Sequence, residues 1–271
     1  LKSLKKIKIE DALIKILSSP NHSNKSWITN QYDQSVMCDT IQKSGSDAAI
    51  VRIHNKDKAI AISVDSSANY CKSYPILGGK QIVCENWRNI ICVGAKPLAI
   101  TNCLNFGNPE NPNVMWQLSE AVDGMAEACS KFNIPVVGGN VSLYNESQGN
   151  NIDPTPIVGL IGVITNLDTP PPGVSWNDGD RLMVIGPPPK GLSGSAWAFA
   201  RGKRNGHLDQ VVYQTLERLC QTIRMLVTQG LVTAIHDISS GGLAVAVAEM
   251  AVQSGVGCSL ARVPDLSLIH I

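Results

Sequence analysis

The chain has 271 residues, 44% apolar and 17% charged, with a formal net charge of +1. That length accommodates one large domain or two ordinary ones of roughly 100–200 residues each. The near-neutral balance gives no global field for nucleic acid, and there is no run of about 18 apolar residues to span a membrane. Residues 1–9 are Lys-rich and lack the continuous apolar core and small-residue cleavage site of a signal peptide. Eight cysteines, at 38, 71, 84, 92, 103, 129, 220 and 258, form no CxxC pair and no Cys/His set at zinc spacing. Buried free thiols in a reducing, cytoplasmic setting account for them better than a disulfide scaffold.

Residues 10–19 read as an amphipathic helix with Glu10 and Asp11 in its first turn, stopped by Pro20. Two apolar runs, 48–53 and 59–64, flank the turn-like Asn55 to Lys58 and predict a hairpin whose second strand delivers Asp65 at its end. Gly78-Gly79 is expected to open a helix carrying Val83, Trp87, Ile90 and Ile91, ended by Gly94. Residues 97–100 read as a short strand, and 101–109 as a long Asn/Gly/Pro-rich loop. Asn111-Pro112 signals a helix start, with Met115, Leu118, Ala121, Val122, Met125, Cys129 and Phe132 as its buried stripe.

A short buried strand over 134–137 then ends in Gly138-Gly139, followed by Asn140 and Ser142. Glycines let backbone N–H groups approach an anion closely, and successive N–H groups in a turn form a concave nest. The Asn140 amide oxygen is a ligand type for a hard cation, and the Ser142 hydroxyl can bond a phosphate or sugar oxygen. The same residues also serve as a plain turn and its cap, and the spacing leaves both readings open.

Residues 157–165 predict a strand buried on both faces, and the Pro-rich stretch 168–173 a stiff boundary. A second unit follows, with a strand at 181–185, a Gly/Pro-rich loop at 186–194, a solvated basic run at 201–204 and a long helix over 208–229. A buried strand at 232–235 leads into His236-Asp237 and a helix over 243–252. Strand, polar turn and helix N-terminus together can face an anion, or His236 and Asp237 can simply cap the helix. This unit stops too early to close a sheet. Residues 266–271 fit no pattern before them, as expected of a truncated piece or a foreign tail.

Three long motifs, NCLNFGNP at 102–109, GNVSLYNE at 139–146 and HDISSGGL at 236–243, change the weight of these readings. With QYD at 31–33, GSDAAIVR at 45–52, GGKQ at 78–81, WRN at 87–89, GAKPLA at 94–99 and PTP at 154–156, the chain closely resembles the phosphoribosylformylglycinamidine synthase family, in its small multi-subunit form. The resemblance implies an α/β (α+β) fold: a lead-in at 1–26, an AIR-synthetase-like N-terminal half-barrel domain at 27–166, a linker at 167–176, and a partial AIR-synthetase-like C-terminal domain at 177–271. These match the second half of a duplicated chain, whose missing first half pairs with it sheet to sheet. The implied reaction converts formylglycinamide ribonucleotide to the amidine, using ATP, Mg and ammonia from a glutaminase subunit docked through a small accessory subunit.

Carried across position by position, the resemblance makes Asn102 and Gly139 ATP contacts, Asn140 a Mg ligand and Ser142 a substrate contact. Asn102 stands where the family often has Asp, so the amide keeps hydrogen bonding but loses charge. Asn69 replaces a family Arg, and Asn89 stands where the first half carries a metal-binding Asp. With Asp65 and Asp237, Asn89 marks an auxiliary cleft that looks degenerate. No catalytic residue falls in this segment. Other ATP-using enzymes of the same superfamily (aminoimidazole ribonucleotide synthetase, selenophosphate synthetase, thiamine-phosphate kinase) are the competing implication, and a non-catalytic scaffold half is the other.

Overall fold

The structure is a computed structural model that describes residues 8–187, 191–203 and 208–260. The expectations for residues 266–271, and for Arg204 in the basic run, lie outside the described residues.

The predicted hairpin forms as β2 (Ala49–Arg52) and β3 (Ala59–Ser66), with β1 (Thr40–Gln42) on its outer edge. β3 is followed by α3 (Ala68–Ser73) and α4 (Pro75–Cys92). β4 (Lys96–Asn105), α5 (Pro112–Phe132) and β5 (Val136–Ser142) make a parallel crossover. A small hairpin, β6 (Glu146–Ser147) and β7 (Asn150–Asn151), precedes β8 (Thr155–Ile164). β8 inserts between β3 and β4, antiparallel to both, giving a six-stranded mixed sheet in the order β1-β2-β3-β8-β4-β5.

α4 and α5 cover one face of this sheet. Ile50, Ala59, Ala61, Ile100, Leu104, Val158, Leu160 and Ile164 pack there against Ile82, Val83, Ile90, Ala121, Met125, Ala128 and Phe132. Burying such side chains is worth ~1.5–3 kcal/mol each for the larger ones. α5 starts as the sequence signals, with the Asn111 side chain accepting the Asn113 N–H at 3.0 Å and Pro112 in the first turn. A buried amide on α4, Asn86, pins the helix to the sheet: its Nδ2 donates to the Val158 carbonyl at 3.0 Å, and its Oδ1 accepts from Ser63 Oγ at 2.7 Å. The opposite face is bare. Val51, Ile60, Ile62, Val64 and Ile161 are exposed on it.

Several expectations are corrected. Gly78-Gly79 does not open α4, which starts at Pro75; the pair lies in its interior, where a side chain on Gly79 would run into the Ala121 carbonyl of α5. Here glycine serves close helix packing and not helix initiation. The 97–100 strand runs on to Asn105, so Asn102 is strand and not loop. β5 likewise continues through Gly138-Gly139 to Ser142 because β4 supplies ladder partners for that stretch. The glycines are therefore mid-strand, and the turn-type N–H nest is absent among the described residues. β8 is not buried on both faces but alternates buried and half-exposed positions.

In the second unit α6 (Ala196–Ala200), α7 (Tyr213–Thr228) and α8 (Gly242–Ser254) form, α7 starting five residues later than expected. Residues 181–185 and 232–235 form no strands, because no neighbouring strand among the described residues takes their backbone groups. A single bridge, Gly173 to Ala234, is all that pairs there. Short α2 (Ser26–Thr29) belongs to an exposed segment leading into the sheet, whereas α1 (Ile9–Leu17) docks on the second unit through Ala12 and Ile16 against Ala196, Trp197 and Val245. Among the described residues no helix is long and apolar enough to cross a membrane.

Candidate functional site

The residues picked from the sequence fall in two places. The first is the edge of the sheet, where parallel β4 and β5 end. Pairing places Asp65, Val158, Asn102 and Gly139 in one row across four strands. Val158 is fully buried under the helices, so this row faces the helical layer. Two strand spacings put Asp65 and Asn102 about 10 Å apart. Asn102 Oδ1 lies against the Cα of Gly139, where any side chain would collide with it. The next row, Ile157, Cys103 and Asn140, faces the open side, and Asn105 and Ser142 pair two positions further on. Strand alternation thus brings Asn140 and Ser142 together on one face and turns Asn102 to the other. Asn140 is exposed, its Nδ2 3.9 Å from Cys103 Sγ.

As a cation site this edge is incomplete. Asn140 offers one neutral oxygen, and no group of three His, Cys, Asp or Glu suited to a metal occurs among the described residues. A hard divalent cation takes six or more oxygens, usually with carboxylates among them. Asn140 fits as one ligand of a set completed by other groups.

The second place is a charged cluster between the sheet unit and the second unit. Arg88 on α4 donates through Nε to Asp237 Oδ1 at 2.8 Å and through a terminal nitrogen to Oδ2 at 3.3 Å. The Asp47 carboxylate meets His236 Nδ1 at 2.7 Å and is capped by the Asp237 N–H, while His236 Nε2 meets Glu249 at 3.2 Å. Asp65 accepts the Ser66 N–H at 2.7 Å and lies beside the Glu85 carboxyl. Burial pushes both of these carboxyls up, Asp65 to about 6. For His236 burial pulls downward, but the bonds to Asp47 and Glu249 prevail and raise it to about 10. Asn89 is half-buried on α4 and, among the described residues, joins none of these pairs. The cluster borders a cleft of about 1760 Å³, with Lys43, Asn69, Tyr70 and Ser240 also on its walls.

Of this cluster, the sequence singles out Asp65, His236 and Asp237. Glu85 and Arg88, about one helical turn apart on α4 among Val83, Cys84, Ile90 and Ile91, are the available signal, since charges set in an apolar surrounding require partners. The buried-thiol expectation holds for Cys71, Cys84, Cys92, Cys129 and Cys220, and burial pushes Cys71, Cys84 and Cys220 up to about 12, but Cys103 is half-buried and Cys38 and Cys258 are exposed.

The proton accounting gives a stability prediction. Asp65 titrates at about 6 when folded against 3.8 otherwise, so its contribution is complete below 3.8 and lost as pH rises through about 6. His236, raised from 6.5 to about 10, contributes fully below 6.5 and less as pH climbs toward 10, the same sign. Thermal unfolding should therefore show a melting temperature that falls from about pH 4 toward pH 10, and Asp65→Asn should flatten the part of that slope between about pH 4 and pH 6. A wild-type melting temperature that rises across this window would contradict the assignment.

Comparison with known proteins places the chain. Residues 45–164 match the N-terminal domain model of AIR synthase related proteins, and residues 177–265 the C-terminal domain model. The chain is 44% identical over 253 residues to phosphoribosylformylglycinamidine synthase subunit PurL of Novosphingobium aromaticivorans, covering 92% of this chain and 35% of that protein. It is 44% identical over 265 residues to PurL of Pelagibacter ubique, covering 95% and 36%. Among solved structures, PurLQS from Thermotoga maritima superposes with a TM-score of 0.64 at 26% identity, covering 92% of this chain and 37% of that one. T. maritima PurL complexed with FGAR gives 0.63 at 26% identity, covering 92% and 36%. With AMPPCP the values are 0.62 and 26%, covering 93% and 38%. The chain spans about a third of the length of the curated relatives it matches. It belongs to the AIR synthase related family and is a homologue of the PurL subunit of phosphoribosylformylglycinamidine synthase.

Proposed function

We propose that this chain forms one wall of the nucleotide site of an ATP-dependent ligase of purine biosynthesis, acting in the cytoplasm. The ligase converts formylglycinamide ribonucleotide to formylglycinamidine ribonucleotide: ATP phosphorylates the formamide oxygen, and ammonia then displaces phosphate as the C–N bond forms. The observation that carries this is the pair of polar strand ends, Asn105 of β4 beside Asn140 and Ser142 of β5, bordering an uncovered apolar sheet face. An exposed apolar face of this kind is a surface for another protein layer, here the preceding half of the polypeptide. In this reading residues 27–166 and 177–271 are two domains joined by a Pro-rich linker.

Asn102 and Gly139 contact the nucleotide from the helix-covered side of the strand end, Asn140 gives one oxygen to Mg from the open side, and Ser142 bonds the ribonucleotide substrate. Magnesium bound there would screen the triphosphate charge, with its carboxylate ligands and the catalytic histidine supplied by the other half. Ammonia arrives from a glutaminase subunit with a small accessory subunit, in line with the PurLQS assembly of T. maritima. Asp65, Asn89 and Asp237 belong to an auxiliary cleft. A scaffold role suits that cleft, because Arg88 already supplies the positive charge facing Asp237.

The test is complementation. The chain is co-purified with the preceding segment of P. ubique PurL and assayed with ATP, formylglycinamide ribonucleotide and high ammonia. Activity by the complex and none by either part is the expected result. A folded, stably associated complex without activity overturns the proposal.

A further inference from the structure

We infer that Asn145 is a positioning residue that acts through Ser142 and makes it an acceptor for a hydrogen-bond donor of the ligand. The inference rests on the reading of Ser142 as a substrate contact. Beyond β5 the chain doubles back over four residues, with Tyr144 in the left-handed region at φ 60° and its N–H on the Gly107 carbonyl at 2.9 Å. A non-glycine residue held there is costly and persists only where surrounding bonds fix it. Asn145 supplies them. Its backbone N–H donates to the Phe106 carbonyl at 3.2 Å, and its Nδ2 reaches the Phe106 carbonyl at 3.0 Å and the Ser142 carbonyl at 2.9 Å. The Phe106 N–H in turn donates to the Ser142 carbonyl at 3.0 Å, so the amide clamps the ends of β4 and β5 from both strands.

A carboxamide has two N–H donors and one acceptor oxygen. The two carbonyls and Ser142 Oγ share the donors, and Oδ1 receives the Ser142 hydroxyl at 3.3 Å. Ser142 Oγ also lies 3.1 Å from Nδ2, so both ends of the amide fix its rotamer. With its proton directed at Asn145 Oδ1 and one lone pair accepting from Nδ2, the hydroxyl presents its remaining lone pair outward. The complementary ligand group is an N–H or a sugar O–H, and a phosphate oxygen, which itself accepts, is disfavoured. Ser142 therefore contacts the formamide or ribose part of the ribonucleotide and not its phosphate.

The test is a double-mutant cycle in the ammonia-driven complex described above, with KM for the ribonucleotide and kcat read separately. Ser142→Ala and Asn145→Ala should each raise KM about tenfold with kcat within about twofold, and the double variant should again be about tenfold. Asn145→Leu, which keeps the volume and lacks the acceptor oxygen, replaces Asn145→Ala in the cycle if thermal unfolding shows that the alanine variant is misfolded. A double variant near a hundredfold, the product of the singles, overturns the positioning role, because the two side chains then act independently. Unchanged KM for Asn145 variants with Ser142→Ala impaired does the same. If Ser142→Ala itself leaves KM unchanged, the substrate-contact reading fails instead.

Discussion

In the reconstituted complex, Gly139→Val is expected to reduce ammonia-dependent synthesis by about a hundredfold or more, and Asn140→Ala by a similar factor. The two act differently. A side chain at 139 meets Asn102 Oδ1 and, at 2.9 Å, the Asn102 carbonyl, so the neighbouring strand and its amide must shift. Overpacking of this kind costs roughly 1–3 kcal/mol, and the cost stays limited because β5 is an edge strand with half its backbone free to move. Asn140→Ala removes an exposed carboxamide and should alter stability by no more than about 0.5 kcal/mol. Melting curves of the isolated chain separate the cases: a small loss for valine, almost none for alanine. If both variants retain full activity, the strand end is not the nucleotide site.

The largest effect on stability is expected at Arg88. Arg88→Met leaves the Asp237 carboxylate buried and unpaired, and breaking a buried pair from one side costs about 3–5 kcal/mol. The Asp237 side chain is 8% exposed and that of Arg88 19%, so water screens little of the loss. Pairing Arg88→Met with Asp237→Leu removes both charges and should recover most of the loss, since well-packed apolar replacements of ion pairs are often neutral. Denaturant midpoints of the two single variants and the double form a closed cycle. A single variant as stable as wild type would mean that the bidentate contact contributes nothing across the junction of the two units.

Much of the sheet unit is legible in the sequence, because its elements announce themselves locally. Two apolar runs around a turn-like segment mark β2 and β3, and Asn111-Pro112 marks the start of α5, whose expected stripe is buried at Ala121, Met125, Cys129 and Phe132 but exposed at Met115 and Val122. The residues misread are those whose state depends on a distant neighbour. Gly138-Gly139 look like a turn to any local rule, and only the β4 ladder alongside makes them strand. Gly78-Gly79 look like a helix boundary until α5 is packed against them. Residues 181–185 and 232–235 carry strand-like side chains yet lack a ladder, so composition alone misleads there. The motifs pick out Asn102, Gly139, Asn140 and Ser142 as candidates, but which face each takes follows from the extent of β4 and β5, which no local pattern gives. The partners of Asp65 and Asp237 were hidden for the same reason: Glu85, Arg88 and Asp47 are remote in sequence and meet only after folding.

The place of β8 has a kinetic consequence. β3 must wait for β8 before its inner edge is paired, and the two join at Ala59 and Ile164, roughly a hundred residues apart. Until residue 164 has left the ribosome, β3 and β4 both display open edges, and the helices have only a split platform to settle on. Such high contact order slows collapse to the native arrangement and leaves sticky intermediates exposed meanwhile. Nascent chains of this protein should therefore lean on chaperones for longer than a helical bundle of equal size.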